Sequence, residues 1–199
     1  AAKYTAAKVG ELDIAVSLLA SSESLHAGCG YDAANCLLPF PSNRQTINDN
    51  STLTGHRVAL KPEWMPANAS GTHMNPVEWN RNDGFSAGQA LVVRVPSINL
   101  SKTGLAGIGD IGSSLDADAP VVIIDRDTHE RIPYFAELDA NVPAGSAERV
   151  LYIRPAVNYE PGHTYVVGMR GMKNAAGAAI AAPAKFDRER DWIHDNEGN

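Results

Sequence analysis

The segment Gly84-Phe85-Ser86-Ala87-Gly88 has the G-x-S-x-G spacing of a nucleophile elbow. That chemistry needs a serine on a sharp strand-to-helix turn, glycines that let the helix approach closely, and a base to take the hydroxyl proton. Here the order is reversed, because polar Asn80-Arg81-Asn82-Asp83 precedes the match and a β-branched run follows it. His129 and His163 lie downstream, at spacings that single out no triad. Ser86 is therefore read as a turn residue, and no catalytic residue is expected in this chain. Gly107-Ile-Gly-Asp-Ile-Gly112 fits G-x-G-x-x-G. That pattern binds a dinucleotide only where a strand enters and a helix leaves, so that the helix N-terminus meets the pyrophosphate. Residues 113–120 read instead as a loop leading to a strand. The glycines are taken as a crossover between sheets, and no cofactor is expected.

Asp116, Asp118, Asp125 and Asp127 could offer oxygen ligands to calcium, and Asn80, Asn82 and Asp83 form a second oxygen-rich loop. Neither follows the spaced EF-hand loop, and Asx residues in turns bond their own backbone without a metal. His26, His56, His73, His129, His163 and His194 show no paired ligand spacing, so no metal site is expected. Asn50, Asn68 and Asn99 stand in N-x-S/T sequons that are read as chance.

Cys29 and Cys36 enclose six residues. In an exported chain the pair reads as a short-loop disulfide, and in a reducing compartment as two unrelated thiols. The first reading is preferred, since zinc would need more ligands than the nearby His26. Trp64 and Trp79 lie in proline-flanked loops. They either pin those loops to the core or serve as docking anchors for another protein.

The elements that must position these residues are mostly strands. Leu12, Ile14, Val16 and Leu18 alternate as a strand would. Residues 29–84 are rich in loops, with strand character only over Arg57–Leu60, and so long a stretch either wraps a core or carries function. From residue 88 the character changes: Ala90–Val95, Val121–Ile124, Arg131–Leu138, Val150–Arg154 and Thr164–Met169 each read as strands. The turn Asp125–His129 is expected to join the second and third as a hairpin, and Pro161-Gly162 marks a further turn. Long amphipathic helices are missing from this pattern, which argues against a parallel α/β sheet. The tail, 184–199, mixes both charges around Trp192 and reads as an arm or linker.

Composition agrees. Apolar residues make up 44% of the 199 residues, enough for a core, and 12 prolines and 17 glycines spread along the chain suit many short elements joined by turns. A net charge of −6 disfavours a nucleic-acid partner or an anionic membrane surface, both of which recruit Lys and Arg. No apolar run of about 18 residues occurs, so no transmembrane segment is expected. The apolar stretch Ile14–Ala20 is short and follows Glu11 and Asp13, which is the wrong order for an intact signal peptide.

The segment from Arg154-Pro-Ala through Pro161-Gly-His-Thr-Tyr-Val-Val to Gly177 and Ile180 resembles the last two strands of bacterial Ig-like domains of the surface-layer type. The resemblance spans about residues 88–183. The Cys36–Asn43 phrase, the Met65–Gly71 loop and Asn80–Gly84 are similar to the amino-terminal region of large exported bacterial proteins, some of them lipase- or esterase-like. The resemblance implies an all-β, Ig-like antiparallel β-sandwich with long amino-terminal loops. It divides the chain into a strand and loop-rich wrap with the disulfide (1–87), the sandwich (88–183) and a tail or linker (184–199). It also implies export to the periplasm, cell surface or exterior. The expected function is a non-catalytic accessory module that packs against another protein domain or subunit. The alternative is the amino-terminal part of a secreted hydrolase whose catalytic domain lies outside the chain.

Overall fold

A computed structural model of the chain describes residues 14–16, 32, 35–184 and 186, the first three as backbone only. Its strands are β1 (Ile14–Val16), β2 (Thr46–Asn48), β3 (His56–Val58), β4 (Leu91–Val93), β5 (Val121–Asp125), β6 (Tyr134–Leu138), β7 (Leu151–Pro155) and β8 (Tyr165–Met169). All pairings between them are antiparallel. One sheet has the order β1-β8-β5, a second β4-β7-β6, and β2-β3 stands apart as a hairpin. Among the described residues no helix is long and apolar enough to cross a membrane.

The core follows from the two-residue period of the strands. In β5, Val121, Ile123 and Asp125 are buried while Val122 and Ile124 are half-buried. In β7, Leu151 and Ile153 are buried and Tyr152 is half-buried. Val121, Ile123, Val167 and Met169 of the first sheet share one apolar cluster with Tyr134, Ala136, Leu151 and Ile153 of the second, and Tyr165 packs partly against it. Register brings Ile123 opposite Val167 and Ala136 opposite Ile153, so inward residues pair with inward residues. Two sheets that spend their apolar faces on a common core fit a β-sandwich. Each fully buried aliphatic side chain contributes about 1.5–3 kcal/mol.

The expected hairpin between residues 121–124 and 131–138 is corrected. Ile124 does bridge Arg131, and the Ile132 amide donates to the Ile123 carbonyl at 2.9 Å. Pairing stops at Pro133, which has no N–H to give. From Tyr134 onward the chain lies in the other sheet, paired along its length with β7. The corner is held from outside. The Tyr134 amide donates to Ser114 Oγ at 3.1 Å, and the Arg131 guanidinium donates to the carbonyls of Ser114, Leu115 and Asp116. Those carbonyls end a 3-10 helix, Ile111–Leu115, that follows the glycine-rich segment.

The loop-rich half is more structured than its sequence suggests. Its described residues hold the β2-β3 hairpin and three 3-10 turns, Asn43–Gln45, Pro62–Trp64 and Trp79–Arg81. Gln45 is the pin at its start. Its amide is 1% exposed, donates to the carbonyls of Leu37 and Pro39, and accepts from the Ser42 amide and hydroxyl. Phe40 then exchanges two backbone hydrogen bonds with Val92 of β4, at 2.9 and 2.7 Å. The Asp32 carboxylate pairs with Arg94 just beyond β4. These contacts lay the segment along the edge of the second sheet.

A short α-helix, α1 (Leu100–Thr103), interrupts the strand pattern, and its caps are in the sequence. Asn99 accepts from the Lys102 amide at 2.9 Å, and Gly104 takes the left-handed conformation at φ 81°. That capping role gives the Asn99 sequon side chain a structural use.

Candidate functional site

Ser86 lies exposed in a turn whose end is closed by the Gln89 amide on the Ser86 carbonyl, and β4 follows at Leu91. No helix N-terminus points at its hydroxyl, which accepts only a long 3.4 Å contact from the Gly88 amide among the described residues. The structure brings neither His129 nor His163 to it by hydrogen bond. Gly107–Gly112 leads into the 3-10 helix and then β5, not into an α-helix.

The asparagines of the oxygen-rich loop serve backbone. Asn80 mimics a strand partner, accepting from the Leu60 amide at 2.8 Å and donating to the Leu60 carbonyl at 2.9 Å. Asn82 donates its side-chain amide to Trp79, and its carbonyl accepts from Val58 of β3. Arg57 ties the same region together by donating to Asp49 Oδ2 at 2.5 Å and to the Arg81 carbonyl at 2.8 Å. Hydrogen bonds from Ser51 and Arg57 hold the Asp49 carboxyl down at about 2.

This network presents apolar side chains to solvent. Trp79 is 45% exposed, and Val77 and Met74, within the same six residues of chain, are about half exposed. Trp64 is half-buried, with the Lys61 ammonium 5.2 Å from its ring centre. Trp64 is therefore partly engaged by its own loop, whereas Trp79 is open. Residues 65–74 are held by local hydrogen bonds. Ala67 bridges His73, and Asn68 Oδ1 accepts from the amides of Ser70 and Thr72 and from the Ser70 hydroxyl. His73 Nδ1 lies 2.6 Å from the Met65 carbonyl. No motif or spacing in the sequence marks Met74 and Val77 as exposed; packing alone leaves them so.

A second cluster sits where β5 ends and β8 begins. Asp125 is buried, half-buried His163 places Nδ1 2.7 Å from Asp125 Oδ2, and Asp127 lies beside them. The Asp125 Oδ1 atom accepts from the amides of Asp127 and Thr128, at 2.8 and 3.3 Å, and Asp127 Oδ2 accepts from Thr164 at 3.2 Å. Asp125 Oδ1 thus fills the Asx role expected of this turn, whereas Asp127 bonds an amide 37 residues along the chain, and the ligand atoms of Asp125, Asp127 and His163 lie within 4.8 Å of one another. His129 closes it in the left-handed conformation at φ 59°. Burial alone would raise the Asp125 carboxyl, but the His163 hydrogen bond and the turn amides outweigh it and hold it below its ordinary value. The same hydrogen bond raises His163, helped by the charges of Asp125, Asp127 and Glu160. Beside them the Tyr165 hydroxyl accepts from the Glu160 amide at 2.6 Å, and its ring packs on Tyr159 with centres 4.5 Å apart. The buried Tyr159 hydroxyl has no hydrogen-bond partner among the described residues.

Cys36 is not a free thiol. Cys29, its expected partner, lies outside the described residues, as do His26, Trp192 and His194. No protein-family model, no curated protein and no solved structure matches the chain.

Proposed function

We propose that the chain is an exported, non-catalytic Ig-like module that packs against another protein domain or subunit through its loop-rich half. The observation that carries this reading is the exposure of Met74, Val77 and Trp79 on a hydrogen-bonded, preformed surface, while the sandwich strands spend their apolar faces inward. A preorganised aromatic with apolar neighbours binds at a small entropic cost, which is how interface anchors work. The Ig-like reading is supported by Tyr165. Its hydroxyl reaches back five residues to backbone at the crossing from β7 to β8, in the manner of the tyrosine corner of Ig-type sandwiches. Export rests on the surface-layer resemblance and on a Cys29–Cys36 bond.

The test uses the chain as bait against its own organism's exported fraction, beside Trp79→Ala and Met74→Ser variants. Capture of one discrete protein by the native chain, lost in both variants while circular dichroism is unchanged, supports the reading. Equal capture by all three sinks it. A Ser86→Ala control assayed on short-chain aryl esters covers the catalytic reading: hydrolysis that disappears with the serine would replace the accessory function with an enzymatic one. Mass spectrometry without reduction checks the remaining element, and a freely alkylated Cys29 would remove the disulfide from the argument for export.

A further inference from the structure

We propose that His163, Asp125 and Asp127 form a pH-dependent latch that fastens the arch between β7 and β8 to the turn between β5 and β6. The two segments are 38 residues apart along the chain and meet beyond the last paired rung, Asp125 opposite Tyr165. Three polar contacts join them there: His163 Nδ1 to Asp125 Oδ2 at 2.7 Å, the Thr164 amide to Asp127 Oδ2 at 3.2 Å, and the Arg126 amide to the Thr164 carbonyl at 2.8 Å. Only the first involves a group that changes charge near neutrality.

The groups facing the imidazole are Asp125 at the end of β5, Asp127 in the turn and Glu160 in the arch, with Tyr165 of β8 facing Asp125. All of these acids favour the imidazolium, and Asp125 is buried, so its charge has little water to lean on once the partner becomes neutral. The sign follows from each partner's direction. His163 is raised, so its contribution is complete below the unfolded value of about 6.5 and is lost as pH rises through the folded value. Asp125 is lowered, so its contribution is complete above the unfolded carboxyl range and is lost only as pH falls through the folded value. The latch is closed between those limits and loosens on the alkaline side first reached from neutrality.

Nuclear magnetic resonance on the whole chain tests this with two readouts. The His163 ring should titrate above about 6.5. Protection of the Arg126 and Thr164 amides, corrected for intrinsic exchange, should fall as pH passes that midpoint, by up to about tenfold per unit by which the midpoint is raised. The Ile123 and Val167 amides in the core should show no matching step. His163→Asn keeps a neutral donor near the Nδ1 position and should leave the Arg126 and Thr164 amides without the step. A His163 midpoint at or below about 6.5, protection that is flat in the native chain, or the same step in the variant would each overturn the latch. Should the variant fail to fold, the ring titration and the native protection profile decide alone.

Discussion

Ile123 and Ile124 are neighbours of identical chemistry on opposite faces of β5, and replacing each by alanine tests the sandwich core directly. Ile123 is 1% exposed and lies in the cluster shared by both sheets, whereas Ile124 is half-buried and absent from that cluster. Either change removes three carbons. At about 0.8 kcal/mol per buried methylene, the transfer loss at Ile123 is about 2.4 kcal/mol. The cavity left between Val121, Val167 and the opposing sheet adds to it, giving about 3–4 kcal/mol. At Ile124 about half the transfer loss applies and water fills the space, so the cost is about 1 kcal/mol. Urea unfolding followed by circular dichroism, with both variants showing the native m-value, measures the difference. Against a domain stability of about 5–15 kcal/mol the Ile123 change is large, yet it leaves a folded protein to measure. Equal losses at the two positions, or a larger one at Ile124, would refute the inward alternation and with it the shared core.

Two further outcomes follow from polar groups. Gln45→Ala strips the Leu37 and Pro39 carbonyls and the Ser42 amide of their partner in a buried setting; it should cost about 2–4 kcal/mol by denaturant titration, and a loss under about 1 would mean that water replaces the amide. The paired tyrosines should respond in opposite ways. Tyr165→Phe removes the acceptor of the Glu160 amide and should cost about 1 kcal/mol, while Tyr159→Phe removes a buried, unpartnered hydroxyl and should be neutral or stabilising. A Tyr159→Phe variant less stable than Tyr165→Phe would contradict that hydrogen-bond assignment.

Much of the strand content was legible in the residues themselves. The runs at 121–124, 150–154 and 164–169 are β-branched or alternating and end at turn residues, and each is a strand within one residue or two. β1 falls on the alternation around Ile14 and Val16. Local chemistry also carried the turn at Asp125–Asp127, because an aspartate that bonds the next amides needs no distant partner. The β2-β3 hairpin was hidden for the opposite reason. Thr46–Asn48 is short and mostly exposed, its one apolar side chain, Ile47, facing solvent, and it is a strand only because His56–Val58 lies beside it and Asn82 supplies the next hydrogen bond.

What tertiary structure alone decided is which sheet each strand joins and which side chains share a place. Residues 131–138 read equally well as the return strand of a hairpin, and nothing local distinguishes that from a crossing. Pro133, the Ser114 hydroxyl and the Arg131 clamp on residues 114–116 turn the chain into the second sheet. The meeting of His163 with Asp125 is of the same kind. Spacing along the chain is blind to it, since the two are joined by the register of β5 on β8 and not by any motif. Trp79 and Trp64 were indistinguishable as sequence, and packing set one half-buried beside Lys61 and left the other open. Periodicity determines which residues seek burial, because that preference belongs to each side chain. Partners and exposure belong to the way the sheets close on one another.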